Sequence, residues 1–335
     1  MIRAGIVGLG RWGRALVSAV AGRSDDIRFV LAATRARGDA DEYCRAKQIT
    51  LVERYGDILC DPTIDAVVLA TPHSQHQAQA LAAFAANKHV FVEKPLTLDR
   101  ASALTVADAA RRSGCVLAVG FARRFHPSMG ELRRRASDGR LGKIVAMVAQ
   151  HTTSTVQFIA PDNWRAAAAE APGGAFTAVG VHALDHMIEL AGPVRDVRCV
   201  VARNYPGPSD DTTTIMLRFD NGASGLIFCS VATATNFQFT AYGTQGLAEI
   251  SRPDLSRFRF AGIATVAPSA VVPAPPEEVL QFPGFDMLHA EMTAFARAIG
   301  GQAYPVPIAD VLHGMAVFDA VVASARDGEI VPVAR

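Results

Sequence analysis

Excess charge of either sign is missing from this sequence: 33 Lys and Arg against 32 Asp and Glu leave a formal +1 over 335 residues. No basic run is longer than Arg133-Arg134-Arg135. The chain therefore has no electrostatic footprint for nucleic acid or an anionic membrane surface. Its five cysteines (44, 60, 115, 199, 229) include no Cys-x-x-Cys pair, so neither a disulfide framework nor a zinc knuckle is indicated, and a reducing cytoplasm fits. No uninterrupted apolar stretch reaches the ~18 residues of a membrane helix. Arg11 and Arg14 break the apolar segment 2–22, which argues against a secretion signal. Internal repeats and low-complexity segments are absent. What is present is a chain half apolar by composition, long enough for roughly two domains of about 150 residues each.

Residues Arg3 to Val7 read as a strand, Gly8-Leu9-Gly10-Arg11-Trp12-Gly13 follows, and Trp12 to Ala21 has helical spacing. Strand, Gly-x-Gly-x-x-Gly and helix in that order form a dinucleotide fingerprint. The glycines permit a tight turn and close approach to a pyrophosphate, and the helix start offers free N–H groups to the anion. A second strand, Ile27 to Ala33, ends where an acid about 20 residues past the glycines would hold a ribose 2′-hydroxyl. Thr34, Arg35 and Arg37 stand there instead. Without a carboxylate to repel a 2′-phosphate and with two guanidiniums to bind it, NADP is favoured over NAD.

Alternation continues through a helix near Asp41 to Gln48, a strand at Ala66 to Ala70, a helix from His76 to Ala86, a strand at Val90 to Val92, a helix from Leu98 to Ser113 and a strand at Val116 to Val119. This is the pattern of a doubly wound parallel sheet. Thr71, Pro72, His73 and His76 follow one strand end and are candidates for the cofactor edge; either histidine could equally serve as a polar helix-start residue. Glu93-Lys94-Pro95 follows another strand end, and Pro95 cannot continue the ladder. An ammonium there points to the crevice where open α/β sheets bind ligands.

After Gly120 the pattern changes to a basic helix through Arg135 and strands at Ile144 to His151, Val194 to Val201, Thr212 to Phe219 and Ala223 to Val231, the last two joined by the hairpin signal Asn221-Gly222. Residues 121–335 are expected to form an α+β domain with an antiparallel or mixed sheet, after a dinucleotide-binding domain at 1–120. Residues 264–283 carry five prolines and read as an irregular connection, followed by helices near Asp286 to Ile299 and Ala309 to Arg326. Between the first two of these strands lie Trp164-Arg165 and Gly173-Gly174, the latter running into a helical stretch with His182, Asp185 and His186. His182 and His186 share a face, but the residue after His182 is Ala183 and no third ligand suggests itself, so metal is not expected. Proton transfer by His182 is the better reading.

Gly8 to Gly13, Glu93-Lys94-Pro95 and Gly173-Gly174 running into His182 and Asp185, together with Asp65 to Pro72, Arg124-Phe-His-Pro127, Trp164-Arg165, Gly243 to Gly246 and Glu291 to Phe295, resemble the Gfo/Idh/MocA oxidoreductases. The resemblance covers nearly the whole chain. It implies an N-terminal Rossmann domain, a C-terminal domain on an open, mainly antiparallel sheet, and homodimers or homotetramers formed through that sheet. It also implies hydride transfer between NAD(P) and a secondary alcohol or carbonyl of a sugar, cyclitol or related small molecule. Carried over, Lys94 hydrogen-bonds the reacting oxygen, His182 is the general acid/base, and Arg124, Trp164 and Arg165 line the substrate side. Cofactor contacts fall to Gly8, Gly10, Arg11, Trp12, Gly13, Thr34, Arg35, Arg37, Thr71, Pro72, His73, His76, Glu93 and Lys94. One position departs: relatives acting on inositol-like polyols commonly carry an aspartate four residues before the histidine, where this chain has Ala178. Without that carboxylate His182 is expected to titrate near or below ~6.5. A non-catalytic cofactor-binding sensor of the same fold is the alternative.

Overall fold

The computed structural model describes residues 1–35, 37–160, 163–206, 210–263 and 277–335. Residues 1–125 build a three-layer arrangement from β1 (Ile2–Val7), α1 (Arg11–Val20), β2 (Ile27–Ala33), α2 (Ala40–Ala46), β3 (Thr50–Val52), α3 (Tyr55–Cys60), β4 (Ala66–Leu69), α4 (His76–Ala85), β5 (His89–Glu93), α5 (Arg100–Ser113) and β6 (Leu117–Gly120). The strands lie in the order β3-β2-β1-β4-β5-β6, and each pairs in parallel with its neighbours. The chain reverses direction across the sheet between β1 and β4, the switch point where such sheets bind ligands. Continuous apolar runs explain the central strands: Val67, Val68, Leu69, Val90, Phe91 and Val92 are completely buried, each worth about 1.5–3 kcal/mol against exposure. β3 and α3 were not expected from the sequence; β3 is a three-residue edge strand, too short to show a period.

The chain continues through α6 (Pro127–Ser137), β7 (Ile144–Thr152), α7 (Val181–Ala191), β8 (Val194–Ala202), β9 (Thr212–Phe219), β10 (Ser224–Ser230), β11 (Asn236–Gly243), β12 (Gly246–Ser251), β13 (Arg257–Gly262), β14 (Glu277–Gln281), α8 (Met287–Ile299), α9 (Ile308–Asp327) and β15 (Val331–Pro332). Among the described residues the strands of this second sheet run β14-β13-β12-β11-β7-β10-β9-β8-β15. All neighbours are antiparallel except β7 and β10, so the sheet is mixed and mainly antiparallel. The irregular connection expected over 264–283 is corrected in its second part: Glu277–Gln281 is a strand paired with β13, and residues 264–276 lie outside the described residues. The expected basic helix is α6, and its Arg135 is buried, held by Glu131 and Glu278 and stacked 4.6 Å over Phe260.

Contacts divide the chain into two compact units, Met1–Phe125 with Asp286–Met315, and His126–Phe285 with Ala316–Arg335. Residues 286–315, which a linear division at 120/121 assigns to the second domain, thus group with the first. The reason is α8. Asp286 caps it by accepting from His289 N at 3.0 Å and also binds Arg23 at 2.7 Å. His289 Nδ1–H donates to Ala19 O on α1 at 2.9 Å, and Phe295 packs on Phe91 with ring centroids 5.7 Å apart. α9 is long and apolar enough to cross a membrane, with a window of mean hydropathy 1.5. Its interior-facing residues account for that character: Val317, Phe318 and Val321 are buried, and Ser324 Oγ accepts from Cys199 N at 2.8 Å.

Candidate functional site

At the switch point β1 runs into Gly8, whose φ of +95° belongs to the left-handed region. A Cβ at Gly8 would lie 2.5 Å from Ala70 O, and one at Gly13 would lie 1.9 Å from Gly8 O, whereas one at Gly10 would meet nothing within 4 Å. Two glycines are therefore required by the protein's own packing, and the third leaves open space at the head of α1. Gly10 is the N-cap of α1 and supplies no side-chain cap, so the first N–H groups of the helix remain for a ligand. This is a cradle of the shape and polarity a pyrophosphate requires. Arg11 is exposed and Trp12 half-buried beside it.

Past β2, Thr34 is half-buried and Arg35 and Arg37 are exposed. Asp39, a carboxylate with no local sequence signal, is held by both terminal guanidinium nitrogens of Arg14. That pairing lowers the pKa of Asp39, and Arg14 in turn lies 4.6 Å over the Tyr43 ring. The acid near this strand end is thus already committed within the protein.

Beyond β4, Thr71 Oγ1 donates to Gln79 Oε1 at 2.6 Å, and Pro72 precedes the short turn His73–Gln75. His76 is fully buried. Its ring sits between Pro95 O, 3.0 Å from Nδ1, and Thr71 O, 3.1 Å from Nε2. It therefore ties the end of β4 to the segment after β5, while His73 meets its ring edge-on at 5.7 Å. Glu93 ends β5 buried, and half-buried Lys94 follows directly. The glycine turn, Thr71 to His76 and Glu93-Lys94 thus share the carboxyl edge of one parallel sheet, Lys94 next but one to the glycine-bearing strand. Arg124 is buried, and its guanidinium meets Asp310 at 3.1 Å.

In the second unit Trp164 and Arg165 form a short turn capped by Asn163, whose side chain accepts from Arg165 N at 3.0 Å. The Arg165 guanidinium stacks 4.2 Å over the Trp164 ring. Gly174 has φ +59° and sits where a Cβ would be 2.7 Å from Asp210 O, which explains the second glycine of the pair. Phe176–Gly180 is a π-helical turn, a widened geometry frequent at functional sites. It carries exposed Ala178 and leads into α7, with half-buried His182 in the first turn. His186 is buried against the Phe239 ring, 5.9 Å away. Among the described residues no three His, Cys, Asp or Glu side chains gather as a metal site. One neighbour escaped the sequence reading: His151 of β7 has its ring 6.1 Å from that of His182. Its signal was a histidine close to the end of a well-read strand.

Residues 2–121 match the oxidoreductase family model with an NAD-binding Rossmann fold, and residues 129–249 match the GFO/IDH/MocA C-terminal domain. Trans-1,2-dihydrobenzene-1,2-diol dehydrogenase of Oryctolagus cuniculus is 26% identical over 68% of each chain. The scyllo-inositol 2-dehydrogenase (NAD(+)) of Bacillus subtilis (strain 168) is 27% identical over 73% of this chain and 72% of its own. Levoglucosan dehydrogenase, solved with NADH and L-sorbose, shares the fold at TM-score 0.89 and 22% identity, covering 100% of this chain and 99% of its own.

Proposed function

The chain belongs to the GFO/IDH/MocA oxidoreductases, and from that premise we propose that it oxidises or reduces a secondary alcohol or carbonyl on a small cyclic polyol, sugar or diol, with NADP preferred over NAD. The observation that carries the reading is the shared sheet edge: a glycine turn open at Gly10 and, two strands away, a lysine one residue past the end of a buried strand. Bound nicotinamide supplies the hydride acceptor or donor. Gly8, Gly10 and Gly13 admit its pyrophosphate to the head of α1, with Arg11 and Trp12 flanking it. Arg35 and Arg37, beside Thr34, bind the 2′-phosphate, and the commitment of Asp39 to Arg14 removes a local repulsion. Thr71, Pro72, His73 and Glu93 border the cofactor, and His76 holds that border to Pro95.

Lys94 donates a hydrogen bond to the reacting oxygen and stabilises the negative charge that develops there. His182 takes the hydroxyl proton during oxidation and returns it during reduction. Arg124, whose guanidinium is paired with Asp310, contributes to the substrate side, as do Trp164 and Arg165. Relatives whose names specify dihydrodiol and inositol substrates support the substrate class. Val200, Met216 and Tyr242, exposed on strands of the second sheet, offer an apolar face for a homodimer or homotetramer. The test is a panel of cyclic polyols and diols followed by NADPH absorbance. Lys94→Ala should lower turnover by about 10²-fold or more while NADPH affinity holds. Undiminished turnover without Lys94 refutes the assignment.

A further inference from the structure

In the second unit His182 has an imidazole neighbour, His151, to which no role has yet been given. His151 lies near the carboxyl end of β7 and is almost wholly buried. Its Nδ1 is 3.1 Å from Val179 O. A backbone carbonyl only accepts, so Nδ1 carries the proton and Nε2 is the nitrogen that titrates. Val179 belongs to the widened turn in which Val181 N–H reaches back to Phe176 O, and His182 follows three residues later. The His151 and His182 rings are 6.1 Å apart at 45°, while Phe237 meets the His151 ring edge-on at 5.4 Å. Strand, turn and aromatic neighbour together fix the ring beside His182.

We propose that His151 is a positioning residue for His182: through Val179 it holds the turn from which His182 projects, and as a second imidazole it keeps His182 in its proton-accepting form through neutral pH. The proposal rests on His182 being the proton-exchanging group. Two imidazolium charges about 6 Å apart repel by an amount equivalent to about 0.5–2 pH units, between full aqueous and protein-surface screening. The pair therefore takes up protons in two macroscopic steps. A carboxylate at position 178 would act in the opposite sense. Its absence and a charged His151 both favour a base at His182, which suits the oxidative direction, against the opposite pull of the Asp185 carboxylate three residues along the same helix. The other titratable groups on the packed elements are Asp185, His186 and Glu189 of α7, the last paired with Arg133, Tyr242 of β11, and Cys229, opposite His151 on β10. Burial raises the Cys229 thiol and keeps it neutral, and β11 contributes the uncharged Phe237.

Two variants separate the halves of the proposal. His151→Asn keeps an N–H near the Nδ1 position but has no titrating nitrogen; His151→Phe loses both. The measurement is an NMR titration of the His182 ring in the NADP-loaded protein, assigned with His182→Gln, beside the pH profile of kcat/KM. In both variants the His182 midpoint should rise by about 0.5–2 units, and the acid limb of kcat/KM should move with it. His151→Phe should also lower kcat by about tenfold or more, which His151→Asn largely restores. If replacement at 151 unfolds the protein, His182→Gln reads the same coupling as a rise in the His151 midpoint. An unchanged His182 midpoint in His151→Asn, or an unchanged His151 midpoint in His182→Gln, overturns the proposal. A shifted midpoint with an unmoved rate profile leaves the pair coupled and refutes instead the role given to His182.

Discussion

Gly10 and Gly13 occupy the same turn yet answer to different constraints, and a pair of alanine substitutions separates them. At Gly10 the backbone has φ −70° and ψ −176°, ordinary for alanine, and a Cβ meets nothing within 4 Å. Replacing an N-cap glycine by alanine costs up to ~1 kcal/mol, while reduced freedom of the unfolded chain returns about 0.4–1 kcal/mol. Stability should barely move, and Tm should stay within about 2 °C. The same methyl projects into the open space at the head of α1. If a pyrophosphate enters there, Gly10→Ala should remove two charge-assisted hydrogen bonds, together about 3 kcal/mol, a ~10²-fold weaker Kd for NADPH. At Gly13 the Cβ would lie 1.9 Å from Gly8 O, a backbone atom that no rotamer change can move aside. Gly13→Ala should therefore lower stability by about 1–3 kcal/mol as well as weaken binding. Thermal unfolding without cofactor and calorimetric titration with NADPH read the two effects separately. A Gly10→Ala protein that binds NADPH as tightly as the parent would show that the cofactor does not approach this turn.

Calorimetry should find NADPH bound more tightly than NADH, and Arg35→Ala with Arg37→Ala should narrow the difference by about tenfold or more; equal affinities in the parent contradict the reading. Asp211 is buried, accepting from Asn204 N at 2.7 Å, Tyr205 N at 2.6 Å and Thr212 Oγ1 at 2.8 Å, so that although burial raises its pKa these donors together leave it lowered. Its stabilisation is therefore complete above the unfolded value of ~3.9 and lost as pH falls through the lower folded value; urea unfolding should find Asp211→Asn less stable by about 1–3 kcal/mol at pH 7, a gap that closes in acid. Ala178→Asp should move the acid limb of kcat/KM to higher pH by about one unit, because a carboxylate near His182 favours the imidazolium; an unmoved limb means the side chain does not reach the ring.

Elements whose apolar pattern is decided locally were legible in the sequence. Ile27–Ala33 was read to the residue, and β5 to within a residue or two, because β-branched and aromatic runs bounded by breakers leave little choice. β14 was not legible: Glu-Glu-Val-Leu-Gln carries two acids and follows a proline-rich stretch, and only its partner β13 makes it a strand. Strands β11 to β13 were likewise passed over, although Phe237, Phe239, Ile250 and Phe258 alternate inward with more exposed neighbours. The return of α8 to the first unit depends on contacts such as Arg23 with Asp286, a pairing 263 residues apart that no local pattern encodes.

The same distinction governs the site. Lys94 and the glycine turn could be found because each lies within a few residues of the strand that presents it. His151 and His182 are 31 positions apart in the chain, and what joins them is a register: β7 beside β10 and β11, with the widened turn Phe176–Gly180 placing Val179 O within reach of His151 Nδ1. A spacing rule at positions 178 and 182 assumes an α-helix between them, but a π turn occupies Phe176–Gly180. The missing aspartate is therefore not a simple vacancy in a helical motif. The turn that widens the spacing between 178 and 182 is the turn whose Val179 O meets His151 Nδ1, so an aspartate introduced at 178 and the histidine at 151 would act on the same imidazole from different elements. A replacement at either place should be interpreted only with the other held constant, and the double substitution Ala178→Asp with His151→Asn measures their coupling directly.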